Sequence, residues 1–327
     1  MEDIDHYKLL YRLFCSLEQF NLARQILDSL KDTVDCIPEG HRDRADRLYE
    51  LGMLYLDYAT RSRGPPDLDQ AIKHMKDAVE LTASDHPDWG QRVKELKISC
   101  FVQTGMAVLV GDIRKASAYG QMAVDLTPGN NTGSIGWLKF IGAIYEECFE
   151  QFKEKEDLEK AIRYRQEVVN ITPVNHPDRP DMLNSLGQVL LMSFEYFDKQ
   201  QDLERAIICH QEAVDMVPDD HPTKALRVNA LASSLVSRYT GFGSMADLDL
   251  AIQYYLNIVT ITRDQSDKAN YLHKLANALC VRFKNIGELR DLEEAIRCLQ
   301  EALLFAVDND QCRAEMLSSL GGAFQAR

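Results

Sequence analysis

Apolar residues return at helical spacing behind a recurrent aspartate. In the stretch DLERAIICHQEAVDMVP, which begins at Asp202, the apolar side chains of one helical face are Leu203, Ala206, Ile207, Ala213 and Val214. This spacing predicts an amphipathic helix of about 15 residues. A carboxylate at the start of a helix can accept the free backbone N–H groups of the first turn. We therefore expect Asp202 to be the N-cap of this helix, and Asp291 to be the N-cap of an equivalent one.

The same stretch recurs along most of the chain. Related stretches begin at Asp67, Asp112, Asp157, Asp202, Asp247 and Asp291. The intervals between them are 45, 45, 45, 45 and 44 residues. Self-similarity at one period in this range is typical of proteins built from stacked repeats. The sequence therefore predicts a repeat array rather than separate globular domains.

A longer helix is predicted before each of these stretches, and a small residue after an apolar one marks its middle. The marker pairs are Leu51-Gly52, Ile141-Gly142, Leu186-Gly187, Leu231-Ala232, Leu275-Ala276 and Leu320-Gly321. Glycine inside a helix costs about 1 kcal/mol relative to alanine. Its recurrence indicates that two helices approach closely there. Lys97 occupies the marker position of one unit and predicts a looser hairpin at that point.

The expected fold is all-α: a single α-solenoid of antiparallel helical hairpins over residues 1–327. The predicted hairpins span about 5–34, 43–82, 88–126, 134–171, 178–216, 223–262 and 267–306. Residues 310–327 repeat only the first helix of a hairpin, so we expect the natural chain to continue beyond Arg327.

Composition narrows the class of partner. Lys and Arg number 37 against 51 Asp and Glu, a net charge of −14 that disfavours nucleic acid. No apolar run reaches the roughly 18 residues of a membrane span, and no secretory signal precedes the first helix. Eight scattered cysteines favour a reducing, cytoplasmic location. We expect no membrane partner.

No motif in the chain predicts catalysis. A phosphate-binding glycine loop, the metalloprotease pattern HExxH and the nucleophile pattern GxSxG are all absent from the sequence. Histidines recur between hairpins at 41, 86, 176 and 221, but stacked hairpins would hold them roughly 10 Å apart, too far to share a metal. They are more typical of loop ordering. We expect no enzyme activity, no metal and no cofactor.

The helix pair resembles the tetratricopeptide repeat, which has Leu-Gly in its first helix and spaced Ala and Pro in its second. Ala206, Ala213 and Pro218 match the second-helix spacing, as do Ala116, Ala123 and Pro128. The resemblance implies a right-handed superhelix whose first helices line a concave face. The recurring DLxxAI, His-Pro-Asp and Leu-Gly elements at this long period also look like the arrays of fungal proteins that carry a caspase-like CHAT domain.

One column of the first helix is polar where a core position would be apolar. Three residues before each marker stand Tyr49, Lys94, Lys139, Asn184, Asn229 and His273. Asparagine both donates and accepts hydrogen bonds, so this column could bind the backbone of an extended peptide. The lysines could bind a carboxylate, which favours an acidic or C-terminal segment. A plain solvated face is the alternative interpretation.

Two functions remain open from the sequence. The first is a non-catalytic scaffold or sensor region that binds a protein or peptide segment on its concave face. The second is a regulatory domain that restrains a catalytic domain, protease-like or nucleotide-hydrolysing, outside this chain.

Overall fold

The computed structural model of the chain describes residues 2–62, 66–127, 135–305 and 310–326. These residues form fifteen α-helices and no strand, which confirms the all-α prediction. Residues 134, 306 and 327, at which predicted segments begin or end, and residue 128, which matches the repeat spacing, lie outside the described residues. The helices are α1 Glu2–Ser16, α2 Phe20–Asp35, α3 Arg44–Ser62, α4 Pro66–Glu80, α5 Trp89–Leu109, α6 Ile113–Asp125, α7 Ile135–Phe152, α8 Lys155–Ile171, α9 Arg179–Phe197, α10 Gln200–Asp215, α11 Lys224–Phe242, α12 Met245–Ile261, α13 Gln265–Ile286, α14 Leu289–Phe305 and α15 Asp310–Ala326.

The helices pack as consecutive hairpins within two compact units, Met1–Asp157 and Leu158–Arg327. In unit 1, the pairs are α1 with α2, α3 with α4 and α5 with α6, and each second helix also packs on the next first helix. In unit 2, α9 pairs with α10, α11 with α12 and α13 with α14, and α15 packs on α14. Each unit is thus a solenoid of antiparallel hairpins. One continuous array over 1–327 stays a prediction.

Alanines of the second helices form the seam of each unit. At the DLxxAI position, the fully buried residues are Ala71, Ala116, Ala161, Ala206, Ala251 and Ala295. A methyl side chain fills little space, so two helices can approach at each of these points. The periodic apolar face therefore decides both how a hairpin closes and where it stacks on its neighbour.

The marker glycines lie directly against the second helix. A Cβ added to Gly52 would stand 2.8 Å from the Cγ of Met75, and one added to Gly187 would stand 2.4 Å from the Nε2 of His210. Both partners come 23 residues after their glycine, at the same register. The close helix approach that the glycines indicated is confirmed at these two hairpins, where a small residue on one helix receives a large one from the other.

The α5–α6 hairpin carries its glycine on the second helix. A Cβ added to Gly120 of α6 would collide with Ile141 of α7, and the Cγ2 of Thr104 on α5 would be 3.5 Å away. Gly120 stands 23 residues after Lys97, so the small residue has moved to the second helix. Lys97 itself is half-buried, with its Nζ 5.6 Å from the ring centre of Phe101. The looser hairpin that Lys97 indicated stays a prediction.

The prediction that Asp202 and Asp291 are N-caps is wrong. Helix α10 begins at Gln200 and α14 at Leu289, so both aspartates lie inside the first turn. Asp112, at the equivalent position of α6, is an N-cap, since its carboxylate accepts the backbone N–H of Lys115 at 3.0 Å. Instead of capping the helix, the buried aspartates bind side chains of the preceding helix. For example, Asp202 accepts the hydroxyl of Ser193 at 2.7 Å.

In unit 2, arginines tie these aspartates to two hairpins at once. Arg238 donates to both oxygens of Asp247 at 2.8 and 2.7 Å, and to Glu204 of the preceding hairpin at 3.0 Å. Its hydrogen bonds lower the pKa of Asp247. Arg282 repeats the arrangement one hairpin later, with Asp291 and Asp249. Bidentate pairs of this kind fix geometry as well as energy, so they set how adjacent hairpins meet.

Two histidines are buried at the packed helix faces. His210 is fully buried with its Nδ1 2.8 Å from the Ser234 hydroxyl, and His74 stacks on Tyr55 with ring centres 5.6 Å apart. Burial lowers the pKa of each to about 4. Both are therefore neutral in the folded chain near pH 7 and act as packing residues.

The contact between Gly187 and His210 predicts that a glycine-to-alanine substitution changes stability in opposite directions at two helical positions. Gly187→Ala should lower the free energy of unfolding by about 1–3 kcal/mol, because the methyl group would collide with the buried His210 ring. Gly105→Ala is the matched control: nothing lies within 4 Å of its added Cβ, so it should gain about 0.5–1 kcal/mol. Urea unfolding followed by circular dichroism measures both. Equal changes would contradict close packing at Gly187.

The buried histidines predict a pH dependence of stability. An unfolded chain takes up these protons near pH 6.5 and the folded chain only near pH 4, so the free energy of unfolding should fall as pH drops between those values. The loss is at most about 3 kcal/mol per histidine. The double variant His74→Gln/His210→Gln should flatten this slope in urea titrations, whereas exposed His6→Gln should leave it unchanged. An unaltered slope in the double variant would show that other groups cause the dependence.

Candidate functional site

The loop histidines hold the turns between hairpins. In each case the ring Nδ1 accepts the backbone N–H two residues later: at 3.1 Å for His176 and at 3.3 Å for His221. His41 and His86 do the same. Lys224 then donates to the carbonyls of Val214 and Val217, which end the preceding helix. These contacts account for the recurrent histidines as loop-ordering residues.

In unit 1, the polar column begins with Tyr49, Lys94 and Lys139. Tyr49 is half-buried beneath the guanidinium of Arg92, whose Cζ is 5.3 Å from the ring centre, and burial raises its pKa. Lys94 is exposed on α5 and Lys139 is half-exposed on α7. No described carboxylate lies within ion-pair distance of either lysine. These amines are free to bind a carboxylate from outside.

In unit 2, the column continues with Asn184, Asn229 and His273, and here its side chains are engaged. Asn229 accepts a hydrogen bond from Lys274 at 3.0 Å. His273 lies 3.1 Å from the hydroxyl of Ser319 on α15, and burial lowers its pKa. Asn184 is 8% exposed, and its Oδ1 has no hydrogen-bond partner in the described residues. The column is therefore less accessible in unit 2 than a solvated face would be.

Lys274 was missed by the sequence reasoning. Its Nζ lies 3.0 Å from Asn229 and 3.4 Å from the hydroxyl of Ser233, and burial lowers its pKa. No described carboxylate pairs with it. A partly desolvated amine held between two neutral groups attracts an anion more strongly than a lysine in water. The equivalent positions of other first helices include Phe140 and Ala230, so no recurrent polar pattern marks Lys274 in the sequence.

Hydrogen bonds between successive first helices place these columns side by side. Arg92 of α5 pairs with Asp46 of α3, and Arg227 of α11 pairs with Asp181 of α9 at 2.6 Å. The bond from Lys274 to Asn229 joins α13 to α11 in the same way. Polar side chains thus link neighbouring first helices at these points of each unit.

An apolar strip on α5 was also missed. Ile98 and Val102, four residues apart, are 44% and 50% exposed. They follow Lys94 at helical spacing, and the equivalent positions of the next first helix are Ala143 and Glu147. A comparison of the repeats position by position would have singled out this aliphatic pair.

Burial lowers the reactivity of two cysteine thiols. Burial raises the pKa of Cys100 to about 12 and that of Cys209 to about 11, so both are protonated and poorly nucleophilic near pH 7. Among the residues that the structure describes, no three His, Cys, Asp or Glu side chains gather into a possible metal site. None of the helices in the described ranges has an apolar segment long enough to cross a bilayer.

Comparison with known proteins identifies the repeat. The sequence model of the tetratricopeptide repeat matches residues 181–223, which include most of α9 and all of α10. A search of curated proteins gave no match. The resemblance to fungal CHAT-domain arrays stays a prediction.

Several solved structures are similar to this chain at low sequence identity. The quorum sensor NprR from B. thuringiensis, in its apo form, is 13% identical with a TM-score of 0.50; the match covers 99% of this chain and 82% of that one. YrrB, described as a TPR protein with an unusual peptide-binding site, is 16% identical with a TM-score of 0.43, covering 68% and 91%. Yeast Tom70 is 12% identical with a TM-score of 0.45, covering 94% and 60%.

The repeat model and the fold lead to one assignment. Residues 181–223 form a tetratricopeptide repeat, and the chain is built from tetratricopeptide-like helical hairpins.

Proposed function

We propose that this chain is a non-catalytic interaction scaffold whose first helices bind a protein or peptide segment along the concave side of the repeats. The observation that carries the proposal is the surface formed by neighbouring first helices, which are joined side by side by hydrogen bonds such as Lys274 to Asn229. Such a surface presents similar polar groups at each hairpin. An extended segment can therefore make equivalent contacts with several hairpins in turn.

Binding would differ between the two units. In unit 1, Lys94 and Lys139 have no acidic partner among the described residues and suit a carboxylate. In unit 2, Asn229 and His273 already make hydrogen bonds within the protein, so a partner would have to exchange them. Asn184 is too buried to contact a partner without rearrangement. We therefore propose that the acidic part of a partner binds unit 1.

The test uses paired variants on each unit. A partner is captured from a cell extract and identified, and its binding segment is titrated against wild type, Lys94→Ala/Lys139→Ala and Asn229→Ala/His273→Ala. Each pair removes hydrogen bonds worth about 0.5–1.5 kcal/mol, so at least one pair should weaken binding about tenfold. The control pair, Lys73→Ala/Arg290→Ala, changes exposed charges on second helices. Equal affinities for all four proteins would move the binding site away from the first helices.

The same capture tests the alternative function. A partner that is a protease or nucleotide hydrolase, and whose activity falls when this chain is added, would favour the regulatory domain. A partner without such activity would favour the scaffold.

A further inference from the structure

Unit 1 carries a surface that combines exposed apolar residues with free positive charge. We call it the α5/α7 surface and define it by Lys94, Lys97, Ile98 and Val102 of α5 with Lys139 and Phe140 of α7. Phe140 is 37% exposed, and Ile98 and Val102 are 44% and 50% exposed. Large apolar side chains grouped at an exposed position are typical of interaction sites.

Aromatic contacts hold the two helices together beneath this surface. The ring centres of Phe101 on α5 and Trp137 on α7 are 4.1 Å apart, and those of Trp137 and Phe140 are 5.2 Å apart. Ile98 and Val102 flank Phe101 on α5. The apolar groups of both helices therefore form one area rather than two separate ones.

Positive charge surrounds the apolar area. Among the described residues, no carboxylate lies within ion-pair distance of Lys94, Lys97 or Lys139. Glu95, the acidic residue beside Lys94, accepts a hydrogen bond from Gln91. The charged residues that define this surface are all lysines, opposite in sign to the net charge of −14 of the whole chain. Such local complementarity selects an acidic partner and suppresses a basic one.

We propose that the α5/α7 surface binds an acidic amphipathic peptide segment of a partner protein. Its apolar side chains pack on Ile98, Val102 and Phe140, and its carboxylates pair with Lys94 and Lys139. Nucleic acid supplies the negative charge but repels the acidic remainder of the chain. The inference rests on the proposed scaffold function and adds the chemistry of the segment and the place where it binds.

The probe is a labelled synthetic peptide with leucines on one helical face and glutamates on both flanks. Two matched peptides carry lysine in place of every glutamate, or serine in place of every leucine. Fluorescence anisotropy gives the affinity of each for the full chain. In a Trp89→Phe background, Trp137 is the remaining tryptophan, and its emission reports whether the peptide reaches this surface.

The glutamate–leucine peptide should bind wild type and change Trp137 emission, and both matched peptides should bind at least about tenfold more weakly. Lys94→Glu/Lys139→Glu should weaken the glutamate–leucine peptide about tenfold or more and strengthen the lysine–leucine peptide. Lys73→Glu/Arg290→Glu, with the same change in net charge, should alter the affinity of neither peptide.

Ile98→Ser/Val102→Ser should weaken binding of the glutamate–leucine peptide, whereas Leu304→Ser at another exposed position should not. Unchanged circular dichroism confirms that each variant is folded.

Several results would overturn the inference. These are equal binding of all three peptides, no effect of the charge reversal, or an unchanged Trp137 signal. Self-association that Ile98→Ser/Val102→Ser abolishes would assign the surface to a second copy of the chain. Lysine-dependent binding to phosphatidylserine vesicles, without binding of the peptide, would assign it to a membrane. Failure here leaves a partner that depends on Asn229 and His273 unaffected, so the two proposals fail separately.

Discussion

The close approach of the two helices of a hairpin is the constraint on which the rest depends. At Gly52 and Gly187 the first helix offers no side chain, and Met75 and His210 of the second helix fill the space. Fully buried alanines bring the second helices close to their neighbours in the same way. Since each contact joins residues of one hairpin or of the next, the core is assembled from local interactions. A repeat array needs no long-range core, and its stability is the sum of hairpins and interfaces.

This packing places the polar groups at the remaining positions. Aspartates at the start of the second helices are buried when the hairpins stack, so they require donors from the preceding helix. Arg238 and Arg282 provide them and extend to the hairpin before. The charged groups therefore follow from the stacking and fix its geometry, while other side chains of the first helices, such as Lys94, stay exposed.

Differences between hairpins matter more for function than their shared pattern does. The α5–α6 hairpin has its glycine at position 120 on the second helix and a lysine at the marker position. Beside that lysine lie the exposed aliphatic pair of α5 and the aromatic contact between Phe101 and Trp137. A repeat that departs from the others in packing thus also carries the most distinctive surface in unit 1. In unit 2, the corresponding side chains are used for hydrogen bonds between hairpins.

The sequence by itself determined the helices, their pairing and the buried seam, because period, apolar spacing and small residues are local properties that each hairpin repeats. It also located the polar column, from Tyr49 to His273. It failed where the outcome depends on residues distant in sequence. The sequence predicts that Asp202 is an N-cap, but in the structure its carboxylate accepts a hydrogen bond from Ser193 of the preceding helix. Asn184 has a polar side chain but is buried in the structure. Asn229 accepts a hydrogen bond from Lys274, which lies 45 residues later in the sequence. Only the tertiary structure decides burial and hydrogen-bond partners, since both depend on which helix lies alongside.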